Sequence, residues 1–132
     1  MKKIIAALVI GLTATAGAAD ANTYRADNRV VVTETGAGTF SLPSTGKYGA
    51  RGAWCAAAEY ATDVLGASGT TRLYVLEPAV TNSGPVGFGL DPRGTTPVAV
   101  LGTTAALRTA GSNLSIDHAQ QFCQDRRLRS GR

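Results

Sequence analysis

Few side chains in this sequence are equipped for chemistry, and their spacing narrows the options further. His118 is the single imidazole. Asp117 precedes it, but adjacent positions on a helix diverge by about 100°, so Asp117 cannot orient that ring as an acid–base dyad requires. Glu59 and Asp63 stand four residues apart, which on a helix brings both carboxylates to one face. Such a pair suits a glycosidase or a hard cation, although a solvated charged face has the same pattern. A hydrolase built on this chain would have to assemble its site from dispersed residues, Glu59, Asp63 and His118.

Cys55 and Cys123 are the two cysteines, so only one intramolecular pairing exists. Neither a Cys-x-x-Cys motif nor a catalytic Cys–His pattern is present, and the pair reads as a structural disulfide rather than a nucleophile or redox couple. Two cysteines and one histidine are too few for a zinc finger, a haem protein or an iron–sulfur cluster, so neither metal nor cofactor is expected. Val86-Gly87-Phe88-Gly89 is half of a dinucleotide fingerprint. Its third glycine is missing and a turn follows where a helix is needed, so no nucleotide partner is expected. The glycines fit a bulge or a close approach better.

Positive charge is concentrated at one place. Residues 22–124 carry seven basic and seven acidic side chains, whereas Arg126, Arg127, Arg129 and Arg132 crowd the C-terminal segment. Clustered arginine is the footprint of anion binding, here a lipid phosphate or a nucleic acid. The absence of interleaved aromatics argues against base stacking. An acidic protein partner, or a solvated and frayed terminus, fits the same residues.

Residues 1–21 read as a secretory leader. Lys2 and Lys3 precede an apolar run from Ile4 to Leu12, and Ala16-Gly17-Ala18 and Ala19-Asp20-Ala21 offer cleavage after Ala18 or Ala21. The run is too short and too rich in small residues for a spanning helix, so no transmembrane segment is expected after cleavage. No cysteine near the cleavage region could accept a lipid. The expected location is periplasmic or secreted, an oxidising setting in which the Cys55–Cys123 bridge would persist. With 44% hydrophobic and 17% charged residues, 22–125 can fill the core of one domain, followed by a basic tail over 126–132.

The elements that would position these residues follow from periodicity. Arg29–Thr35 and Thr39–Leu42 flank Gly36-Ala37-Gly38 and predict a hairpin. Trp54, Ala58, Ala61 and Leu65 form an apolar stripe on a helix over 52–65, with Gly66 as its stop. Arg72–Glu77, Val86–Leu90 and Pro97–Leu101 predict a three-stranded meander, and 102–113 could continue as either helix or strand. Ser115 reads as the cap of a second helix carrying Ile116, Ala119, Gln120 and Cys123 on its inward stripe. The sum is a two-layer α+β domain: an antiparallel sheet of about five short strands, two helices on one face, and one disulfide clamping them.

Four segments carry a resemblance: Trp54–Ala61, Arg72–Val75, Val86–Pro92 and Leu114–Cys123. Together they resemble a group of small exported bacterial proteins of unassigned function, over roughly residues 48–128. The resemblance implies no activity. The expected role is a non-catalytic exported interaction module whose partner is an envelope protein or an anionic surface.

Overall fold

The computed structural model describes residues 23–100 and 102–124. The expected leader and the Arg126 to Arg132 tail lie outside them. The described chain forms one six-stranded sheet in the order β1-β2-β3-β5-β4-β6, every neighbouring pair antiparallel. The strands are β1 (Thr23–Arg25), β2 (Val31–Gly36), β3 (Thr39–Leu42), β4 (Arg72–Glu77), β5 (Val86–Gly89) and β6 (Asn113–Ser115). The helices are α1 (Gly49–Asp63), α2 (Thr103–Leu107) and α3 (Ile116–Gln120), with 3-10 turns at Gly46–Tyr48 and Gln121–Cys123.

Register explains the single buried face. Phe40 pairs with Phe88, and Phe88 with Val75 on its other side; Leu42 pairs with Val86, and Leu73 with Leu114. Directly paired residues project to the same side, so these apolar side chains form one continuous surface. The alternate positions, Ser41, Gly87, Gly89 and Tyr74, belong to the opposite face. The two β5 glycines have a steric reason. Side chains from β4, Leu76 and Glu77, occupy the space that a Cβ at Gly89 and Gly87 would need, where the β4–β5 ladder is bulged between Val75 and Glu77.

Helix α1 covers the apolar face. Trp54 meets Phe88 edge-on with ring centroids 5.1 Å apart, and Tyr60 lies 4.5 Å from Phe40. Fully burying side chains of this size contributes about 1.5–3 kcal/mol each. The predicted stripe understates the burial. Ala50, Gly52 to Ala58, Tyr60 and Ala61 are all buried, because α2 and α3 pack along α1 as well as the sheet. Six alanines among these positions let the neighbouring backbones approach closely. Trp54 Nε1 has no hydrogen-bond partner among the described residues.

Three expectations are corrected. Pro97 to Val100 is not a ladder strand: Val98 makes one isolated parallel bridge to Ser112. Pro97 supplies no N–H, and the free edge of β4 is taken by β6. Strands β1 and β6, unforeseen, raise the count to six. The second helix breaks into α3 and a 3-10 turn, so Cys123 is half-buried at the end of that turn rather than on a continuous inward stripe. Its start is as expected, since Ser115 Oγ accepts a hydrogen bond from the His118 N–H at 3.1 Å. The undecided stretch resolves into α2 and β6.

Cys55 and Cys123 are bonded, with Cα atoms 5.0 Å apart and 68 residues of separation. The bridge joins α1 to the segment following α3. Closing a loop of that length removes about 4 kcal/mol of denatured-state freedom in the chain-entropy account.

Candidate functional site

A cleft of about 450 Å³ opens where α1, α3 and the loop after β1 converge. Four carboxylates line it: Asp27, Glu59, Asp63 and Asp117. Gln120, Gln121, Gln124 and the half-buried Cys123 complete the wall. The i, i+4 spacing of Glu59 and Asp63 places both on the cleft side of α1. Asp27 and Asp117 arrive from segments distant in sequence, and no local pattern predicts them as neighbours.

Each acid is tied to the scaffold. The tight turn from Ala26 to Val30, closed by Ala26 N–H donating to Val30 O at 2.9 Å, presents the backbone N–H of Asp27 to Glu59 Oε1, also at 2.9 Å. Tyr24 donates its hydroxyl to Asp63 Oδ2 at 2.8 Å. Asp117 donates its own N–H to Gly69 O at 2.9 Å, and Gln120 Nε2 bridges α3 to Thr62 Oγ1 at 3.0 Å. Asn28 anchors the turn to α1 by donating from Nδ2 to Gly52 O at 2.9 Å.

The field inside this cleft is negative, and Tyr24 registers it. Partial burial pushes its hydroxyl well above the ordinary tyrosine value; the hydrogen bond to Asp63 and the charges of Asp63, Glu59 and Asp27 add to the effect. Tyr60 is raised too, by burial and then by Glu34.

Glu59 also touches the disulfide. Its Oε2 lies 3.3 Å from Cys55 Sγ and 3.6 Å from Cys123 Sγ. Disulfide sulfurs carry no proton, so these are packing contacts rather than hydrogen bonds.

The three residues of the dispersed hydrolase site do not converge. Glu59 and Asp63 share the cleft, whereas exposed His118 is absent from its lining and rests its ring 5.7 Å from Phe122. The Arg51 guanidinium stacks on that same phenyl ring at 4.5 Å. The four arginines expected to bind anions, Arg126, Arg127, Arg129 and Arg132, lie outside the described residues. No helix among the described residues is long and apolar enough to cross a membrane.

Comparison with protein families, with curated proteins and with solved structures found no match.

Proposed function

We propose that this chain is a small exported interaction domain that works by binding rather than by catalysis, and that its recognition surface is the acidic cleft. One observation carries the reading: Asp27, Glu59, Asp63 and Asp117, drawn from three separate segments, line a single cleft whose lining does not include His118. Carboxylates converging on one cleft give it a negative potential, felt at Tyr24, which favours a cationic ligand. The complementary partner is a cationic segment of a protein, whose lysine or arginine side chains would be steered to the cleft at low salt. The disulfide supports a home in an oxidising compartment.

The test uses the oxidised chain and oligolysine as the probe, followed by calorimetry. Binding that weakens with salt, and falls about tenfold or more in the Asp63→Asn/Asp117→Asn double variant, is the expected result. Oligolysine affinity unchanged by that variant would reject the cleft. Turnover of peptide, ester or glycoside substrates abolished by Glu59→Gln would return the protein to the hydrolase reading. Anion binding by the arginine tail is separable, because retention on anionic vesicles would be lost on deleting residues 126–132.

A further inference from the structure

We propose that the reduced form of this protein is a mononuclear metal site, in which the thiolates of Cys55 and Cys123 and the carboxylate of Glu59 hold a thiophilic divalent ion such as Zn²⁺. The site goes beyond cationic recognition by the oxidised cleft and does not depend on it.

The geometry of the three donors is the main support. Cys55 and Glu59 are separated by four residues on α1, so one helical face presents a sulfur and an oxygen together. Cys123 comes from the 3-10 turn behind α3, and the three ligand atoms lie within 4.8 Å of one another. A tetrahedral zinc with Zn–S near 2.3 Å and Zn–O near 2.0 Å requires an oxygen-to-sulfur edge of about 3.5 Å. The edges from Glu59 Oε2 to the two sulfurs are 3.3 and 3.6 Å. Two edges of a ligand triangle are therefore at coordination spacing, and cleavage of the sulfur–sulfur bond frees the third to open.

The surroundings add an orienting contact and a route of entry. The Asp27 N–H holds Glu59 Oε1, which fixes the carboxylate with Oε2 toward the sulfurs, the role that outer-shell donors play at metal sites. Cys123 lines the cleft, so an ion reaches the sulfurs from solvent and a fourth position can be filled by water. Asp63 and Asp117 on the same wall make the approach favourable to a dication. Two sulfurs among three donors select zinc over calcium or magnesium.

The chemistry balances with a dithiol as reductant. The dithiol gives two electrons and two protons to the Cys55–Cys123 bond and becomes a disulfide itself. The two thiols formed then release two protons as the ion binds to their thiolates, while Glu59 binds as the carboxylate. Exchange with a disulfide, which takes up the two electrons and two protons and becomes a dithiol, reverses the sequence and expels the ion, so the same residues alternate between a covalent cross-link and a coordinated one.

The experiment reduces the full chain with a phosphine, which is converted to its oxide, removes the excess without oxygen, and adds Co²⁺ as a spectroscopic probe. A thiolate-to-cobalt charge-transfer band is expected in the reduced protein, absent from the oxidised protein and bleached by Zn²⁺. Cys123→Ser should lose it, and Glu59→Gln should weaken Co²⁺ binding by about tenfold or more, while Glu34→Gln, exposed on β2 and outside the cleft lining, retains it. If the reduced chain unfolds without metal, far-UV circular dichroism decides the matter: Zn²⁺ should restore the native spectrum. The absence of a band together with no recovery of structure overturns the proposal. So does a band indifferent to Glu59→Gln and Cys123→Ser.

Discussion

The carbonyl of Thr96 occupies the space into which a side-chain carbon on Gly111 would project. Gly111 has φ +92° and is stitched in on both sides: its N–H donates to Val75 O at 2.8 Å and its carbonyl accepts from Val98 N–H at 3.0 Å. Gly94 has nearly the same φ, +89°, but open space around its Cβ position. The two positions therefore separate backbone strain from steric exclusion. Gly94→Ala should cost about 1–2 kcal/mol from conformation alone. Gly111→Ala should cost about 2 kcal/mol more, because rigid backbone must also shift. Urea denaturation of both variants measures the difference, and equal losses would show that the Thr96 contact yields easily.

Replacing Phe88 with alanine should lower stability by about 3–5 kcal/mol, the range for removing a buried aromatic side chain. Phe88 is the hub between Phe40, 5.9 Å away, and Trp54. Trp54 is the single tryptophan, so its emission reports on the same contact. A native-state red shift should accompany the loss, whereas Phe88→Leu should retain most of both.

Reduction of the Cys55–Cys123 bridge, with a metal chelator present, should lower the unfolding free energy by about 4 kcal/mol. Chemical denaturation of the oxidised and reduced protein gives the figure directly. For a domain whose total stability is roughly 5–15 kcal/mol, such a loss would leave the weakest of that range with about 1 kcal/mol, so that an appreciable minority of molecules is unfolded.

Tyr24 predicts an alkaline limb. The folded state holds its hydroxyl proton more tightly than the unfolded chain, whose tyrosine ionises near the ordinary value of 10.0. Its contribution is fully present below that pH and is lost as pH rises through the higher folded-state value. Tyr60 acts in the same direction. Denaturation midpoints should therefore fall as pH climbs above about 10, and Tyr24→Phe should flatten part of that decline. A variant with the original slope would place the alkaline sensitivity elsewhere.

What the sequence disclosed were elements whose cause is local. The glycine-rich turn between Thr35 and Thr39, the alanine run of α1, the β-branched and aromatic residues of the hairpin, and the hydroxyl of Ser115 all act within a few positions. Single-pair cysteine arithmetic gave the cross-link. Elements fixed by distant partners stayed hidden. Thr23–Arg25 is a strand because Thr33 to Val31 offers it an edge, and Pro97 to Val100 is not, because Asn113–Ser115 reached β4 instead. The cleft divides in the same way. Glu59 and Asp63 shared a visible spacing, but Asp27 and Asp117 join them only through the tertiary fold, which leaves His118 beside Phe122 outside the cleft.

Among the described residues, the two borders of the sheet, Thr23–Arg25 and Asn113–Ser115, are each three residues long. A border so short offers a neighbouring molecule only a few unpaired amides and carbonyls, too little to template a second ladder. Concentrated solutions of the folded protein should therefore resist strand-by-strand polymerisation, and any fibres that do form would have to recruit chains whose interior strands have first come apart.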